Sequence, residues 1–123
     1  CPCLVLKLDR AWLHQLINDR VQRMMDTGLE SEVAGLIAKH GQLSRTASQA
    51  VGYREILARL ETGTSLEETI ELIRAHTRQF ARRQEIWFRG LSELQPLPLP
   101  QGDSPVDLLD PAIAFFQQFR QLA

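Results

Sequence analysis

Four arginines, two glutamines and three aromatic side chains fall within the thirteen residues TRQFARRQEIWFR at positions 77–89, and no other stretch of the chain concentrates so much chemistry. Guanidinium groups offer forked donors that match phosphate oxygens and flat faces that stack on bases, and neighbouring indole or phenyl rings can stack as well. This combination points to RNA. Glu85 lies between Arg82 and Arg89 at helical spacing, however, and leaves a second assignment open: a solvated ladder of ion pairs that contributes little energy.

The element that must carry these residues is a long helix beginning near Leu66, with Ser65 and Glu68 spaced as a capping box. Leu66, Ile70, Ile73, Phe80, Ala81, Trp87, Phe88 and Leu91 recur along one broad apolar face that is expected to be buried. Arg78, Arg82 and Arg89 stand at i, i+4 and i+11, a stripe on another side, and Arg83 leaves by a different flank beside Trp87.

Ahead of that helix, Asp9 caps a predicted helix over residues 10–27 whose inner face is Leu13, Leu16, Ile17, Val21 and Met24, with Gly28 as its stop. Arg20 lies on the flank of that face, either extending from the core edge or holding an anion. A second helix is predicted over residues 29–40 with Leu29, Val33, Leu36 and Ile37 inward, and Gly41 ends it. Residues 42–48 are read as a polar connection, and QAVGYRE at 49–55 leads into a short helix that ends before Gly63. The small residues before Tyr53 allow a backbone or a nucleotide to come close, or they simply make a turn.

The CLVLKL segment at 3–8 has the pattern of a strand covered on both faces in a parallel sheet, which requires neighbours. Residues 94–99 are the other strand candidate, although Pro96 and Pro98 confine it to an edge. Residues 93–104 read as a proline-rich connector and residues 105–123 as a C-terminal helix. In that helix Asp110 and Pro111 form the cap, and Ile113, Phe116, Phe119 and Leu122 line one side.

With 123 residues, 44% hydrophobic and 24% charged, the chain has the makings of one ordinary globular domain. A net charge of −1 excludes nucleic-acid binding by bulk electrostatics, so any RNA contact must rest on local patches. The CPC triplet holds both cysteines, too close for an ordinary mutual disulfide, and they are read as free thiols. Neither His14 nor His76 has a partner at metal-ligand spacing. No apolar run approaches the roughly 20 residues of a membrane span, and a cytoplasmic location is expected. Cys1 in place of an initiator methionine points to an absent upstream part.

Three blocks agree in order and spacing with one family. TRQFARRQEIWFR, preceded by QAVGYRE and by RAWLHQLINDRVQRMMDTGLESE at 10–32, closely resembles the C-terminal third of the tRNA dimethylallyltransferases, the isopentenyl-transferase family, over roughly residues 4 to 92. The resemblance implies a mainly α chain: the C-terminal helical part of a P-loop-type α/β enzyme, with one or two orphan strands of a central sheet and a domain over residues 1–92. It implies an activity as well, transfer of a dimethylallyl group from dimethylallyl diphosphate to N6 of the adenine beside the tRNA anticodon.

By resemblance, contact with the tRNA anticodon stem-loop falls on Gln49, Ala50, Val51, Gly52, Tyr53 and Arg54 and on Arg82, Arg83, Gln84, Trp87 and Arg89, with Arg78 one turn upstream. Arg54, Arg78, Arg82 and Arg89 would anchor phosphates, and Tyr53 and Trp87 would pack about the loop. Arg20, closing a word like the family's I-x-x-R, is a candidate for the diphosphate. The family's phosphate-binding loop, catalytic aspartate and Mg2+ ligands belong to an N-terminal P-loop part. These 123 residues contain no G-x-x-x-x-G-K-[ST] word, so the chain is expected to be inactive alone. At Glu85 and Ile86 the chain departs from the family, where an aliphatic residue followed by threonine is common. The alternative is a non-catalytic helical protein-interaction module or decayed remnant.

Overall fold

A computed structural model describes residues 3–121, so Cys1 and Leu122 lie outside the described residues. The order is strand β1 (Cys3–Leu8), helices α1 (Arg10–Asp26), α2 (Leu29–His40), α3 (Arg45–Ser48), α4 (Tyr53–Thr62) and α5 (Leu66–Arg89), and strand β2 (Leu94–Leu99). A 3-10 turn (Pro105–Leu108) then leads into α6 (Leu109–Gln121). The chain is mainly helical, as its patterning predicts, and divides into two compact units.

The first unit is Gln15–Ala81. Its core is built from the helical repeats: Ile17 and Val21 of α1, Leu29 and Val33 of α2, Ile56 of α4 and Ile73 of α5 are all buried. Thr69, also buried, satisfies its hydroxyl by donating to the Ser65 carbonyl at 2.8 Å. Asp9 caps α1 as expected, its carboxylate accepting the Trp12 N–H at 3.1 Å. Gly28, at φ +101, makes the sharp left-handed turn between α1 and α2 that a side chain would resist. The predicted polar connection before QAVGYRE contains the one-turn helix α3, capped by the Ser44 hydroxyl accepting the Ala47 N–H at 3.2 Å. Leu16, expected on the inner face of α1, is exposed.

The apolar face of α5 is buried over only part of its length. Ile73 is buried and Ile70 half-buried, whereas Leu66, Phe80 and Trp87 are exposed, Trp87 at 63%. The side-chain bonds that tie α5 to other helices of its unit fall on Arg74, His76 and Arg78, which meet Gln22 of α1, Glu55 of α4 and Asn18 of α1.

The second unit comprises Cys1–His14 and Arg82–Ala123 in so far as they are described, with Leu99 and Leu108 buried. Here β1 and β2 pair in parallel, Cys3 opposite Leu94 through Leu8 opposite Leu99. Each strand supplies the neighbour the other needs. The Cys3 N–H donates to the Glu93 carbonyl at 3.3 Å, which fixes the phase of the ladder. In that phase Gln95, Leu97 and Leu99 face β1 with their N–H groups, and the missing donors of Pro96 and Pro98 fall on the outer edge. That edge is blunted against further pairing, while the outer edge of β1 keeps its donors.

The cap of the last helix also lies upstream of its expected place. Ser104 accepts the Val106 N–H at 3.3 Å and Asp107 accepts the Ser104 N–H at 2.7 Å, and Pro105 takes the first position. Pro at that position forfeits no intrahelical bond, and continuation of the 3-10 turn into α6 places Asp110 and Pro111 inside the first helical turn.

Two measurements test this fold. Ile56→Ala, at a fully buried site, is expected to cost about 2–5 kcal/mol, read as a fall in the urea midpoint; an unchanged midpoint would contradict the assigned core. In β1, the amides of Val5 and Lys7 face β2, so they are expected to exchange with solvent deuterium more slowly than those of Leu4 and Leu6. Uniform exchange along the strand would contradict the register.

Candidate nucleic-acid interface

Within Gln15–Ala81, the segment 49–55 is organised by a side chain that its spacing does not single out. Glu55 is 5% exposed, the single carboxylate buried among the described residues. One oxygen accepts the Gly52 N–H at 2.7 Å. The other accepts Arg54 Nε at 3.1 Å and Nη2 at 2.9 Å, and lies 2.6 Å from His76 Nδ1 of α5. A carboxylate only accepts, so Nδ1 must carry its proton and donate. Arg54 Nη2 and His76 Nδ1, 3.0 Å apart, are therefore two donors converging on one oxygen, not a pair bonded to each other.

Gly52 begins α4 at φ +98 and is itself buried. Having no side chain, it offers no cap oxygen, and the Glu55 carboxylate reaches back to its N–H in the reciprocal half of a capping box. A Cβ there would lie 3.6 Å from Leu29 and 3.8 Å from Met24, ordinary contact distances, so the positive φ rather than crowding calls for glycine. Burial works to raise the Glu55 pKa, but the bonds from Gly52, His76 and Arg54 outweigh it and hold the carboxyl below its ordinary value.

The other residues singled out in this unit are spread over its surface. Gln49 and Ala50 are exposed, and the Ala50 carbonyl accepts the Arg54 N–H at 3.0 Å. Val51 is half-buried. The Tyr53 hydroxyl donates to Glu32 of α2, and this bond, with burial and the carboxylate charge, raises the phenol above its ordinary pKa. Arg78 donates to Asn18 Oδ1 of α1 at 2.8 Å, which fixes one end of its fork. Arg74 is tied to Glu71 at 2.6 Å and Gln22 at 3.0 Å. Arg20 is exposed and makes no side-chain hydrogen bond among the described residues.

In the second unit, Arg82, Arg83 and Gln84 are exposed, and among the described residues none of the three makes a side-chain hydrogen bond or ion pair. Arg89 donates to Glu85 Oε1 at 2.9 Å, both side chains exposed. An arginine thus takes the one carboxylate that would repel a phosphate there, in a pair contributing little stability. Trp87 packs against Phe88 with ring centroids 5.2 Å apart and leaves most of its indole in water. This stretch of α5 therefore offers two uncompensated guanidinium groups and an aromatic face.

A shallow apolar cleft of about 420 Å³ between α2 and α4 is lined by Ala34, Ile37, Ala38, Leu57, Leu60 and Glu61. Its one charged side chain is a carboxylate, the wrong sign for a phosphate. Among the described residues no three His, Cys, Asp or Glu side chains gather as metal ligands, and no helix is long and apolar enough to cross a membrane.

Comparison with known proteins places the chain in a family. The model of the IPP transferase family matches residues 1–91, and the chain belongs to that family. It is 45% identical over 103 residues to the tRNA dimethylallyltransferase of Rhodopirellula baltica, covering 84% of this chain and 31% of that protein. With the enzyme of the same name from Kineococcus radiotolerans it shares 42% identity over 103 residues, 84% of this chain and 32% of that protein. The chain thus spans about a third of the length of these curated relatives.

Two solved structures resemble its fold. One is the full-length tRNA isopentenylpyrophosphate transferase from Bacillus halodurans, with TM-score 0.80, 28% identity, and 98% of this chain covered against 38% of that one. The other is the tRNA delta(2)-isopentenylpyrophosphate transferase from Staphylococcus epidermidis, with TM-score 0.83, 28% identity, and 94% of this chain against 37% of that one.

The titration of Glu55 gives this site a pH signature. Its folded-state pKa lies below the unfolded value near 4.3, so its contribution is complete above that value and is lost as pH falls through the folded one. The gap in urea midpoint between wild type and Glu55→Gln is expected to narrow as pH falls below about 4. A gap that persists unchanged into strong acid would contradict the bonded, ionised carboxylate.

Proposed function

We propose that this chain is the tRNA-contacting part of a tRNA dimethylallyltransferase, which transfers a dimethylallyl group from dimethylallyl diphosphate to N6 of the adenine next to the anticodon. The observation that carries this is the exposed, uncompensated Arg82 and Arg83 beside the exposed Trp87 on α5, in a chain whose net charge of −1 gives no reason for a cationic surface there. Exposed arginine beside exposed indole suits a phosphate backbone with an unstacked base. Membership of the family and the names of its relatives support the same reading.

In this proposal Arg82, Arg89, Arg78 and Arg54 anchor phosphates, Arg83 and Gln84 add donors, and Trp87 and Tyr53 pack about the anticodon loop. Gln49, Ala50, Val51 and Gly52 let the RNA backbone come close to the start of α4. Arg20 is proposed for the diphosphate. By the family resemblance, magnesium and the diphosphate cradle are assigned to a P-loop part outside these residues, and no step is routed through the metal. The setting is the cytoplasm, where tRNA is the substrate.

The transfer itself needs a leaving-group cradle of backbone N–H groups and a lysine, and the only lysines, Lys7 and Lys39, have no G-x-x-x-x-G-K-[ST] loop beside them. Incubated with magnesium, labelled dimethylallyl diphosphate and unmodified tRNA, the 123-residue chain is expected to transfer no label, and activity is expected once a P-loop part is supplied. Label on adenine from the chain alone would overturn this division of labour.

The RNA contact is tested separately. In the complete enzyme, Arg82→Ala or Arg89→Ala is expected to weaken tRNA binding several-fold and to reduce the slope of log affinity against log salt by about one, with dimethylallyl diphosphate binding nearly unchanged. Equal loss of both affinities would assign these arginines to the fold instead.

A further inference from the structure

We propose that Glu55 is a positioning residue of the RNA-contact surface: its buried carboxylate grips the Nε and Nη2 side of the Arg54 guanidinium, ties it to His76, and leaves the outer edge of the fork facing solvent. The proposal rests on the RNA-contact reading above.

Arg54 is half exposed, its side chain retaining 50% of its accessible surface, and an exposed arginine ordinarily samples many rotamers. Here two donors on one side of the guanidinium are held at 2.9 and 3.1 Å by a side chain that is itself 3% exposed. Nη1 is left to meet a phosphate. The same carboxylate holds the Gly52 N–H at 2.7 Å and His76 at 2.6 Å, so the turn before α4, the guanidinium and α5 share one anchor. Such fixing lowers the ordering cost of binding without touching the ligand. Glu55 contacts no phosphate in this scheme and acts only through Arg54.

Binding of an unmodified anticodon stem-loop to the full chain, measured below the unfolding transition, tests this with a double-mutant cycle. Arg54→Ala and Glu55→Gln are each expected to weaken binding about tenfold, and the double variant to be no weaker than Arg54→Ala. The Arg54 Nε–H resonance is expected to be protected from exchange in wild type and unprotected in Glu55→Gln. Arg54→Lys, which leaves the anchor untouched, is expected to lose as much as Arg54→Ala, because an ammonium cannot fill both positions of the fork. Additive losses in the cycle, or Arg54→Lys binding like wild type, would overturn the proposal. Arg82→Ala separates the two levels: if it weakens binding while Glu55→Gln and Arg54→Lys do not, the RNA surface stands and the role of Glu55 falls. If none of these substitutions moves the affinity, both fall.

Discussion

One buried carboxylate sets the geometry of the segment between α3 and α5. A carboxylate removed from water is costly unless its acceptor sites are filled, and Glu55 fills its own with the Gly52 amide, the Arg54 fork and the His76 ring. Removing any one donor leaves the others to offset the same desolvation. The arrangement therefore specifies more than it stabilises: it starts α4 at Gly52 and ties α4 to α5 beside the buried Ile56 and Ile73. The two helices share this ionic lock as well as an apolar core.

A second constraint is that α5 carries more apolar surface than is buried: Ile73 is buried beside the bonds that Arg74, His76 and Arg78 make to α1 and α4, while Phe80 and Trp87 further along stay in water. Exposure of Trp87 and Phe80 would be a liability on a surface with no partner, and the arginines around them keep such a surface soluble while offering an electrostatic attraction to phosphate. A chain of nearly balanced charge can in this way carry one local site for a polyanion.

Much of this was legible in the residues. Asp9, Gly28, Gly41 and Gly63 delimit helices because capping and left-handed turns depend on local chemistry, and Ile17, Val21, Val33 and Ile73 announce the core through their spacing. The word GYRE, by contrast, marks Tyr53 and Arg54 but hides its last residue. Glu55 looks like any acid in a first helical turn, and its partner His76 lies 21 positions away, a distance that spacing cannot bridge. The cap of α6 shifted from Asp110 to Ser104 because a Ser-Pro start with Asp107 three residues on competes with an Asp-Pro start, and only the fold decides between them. The partial burial of α5 was not legible for a related reason, since periodicity reports which face is apolar but not how much of it a partner covers.

The central proposal is that the cationic stretch of α5 around Arg82, Arg83 and Trp87, and not the apolar cleft between α2 and α4, meets the tRNA. Titrating the isotope-labelled chain with an unmodified anticodon stem-loop and following backbone amide and arginine side-chain resonances addresses it directly. The account predicts shifts at Arg82, Arg83 and the Trp87 indole, and at Gly52, Tyr53 and Arg54, while Ala34, Ile37 and Leu57 stay unmoved. Shifts confined to the α2 and α4 cleft, or none at saturating RNA, would contradict it.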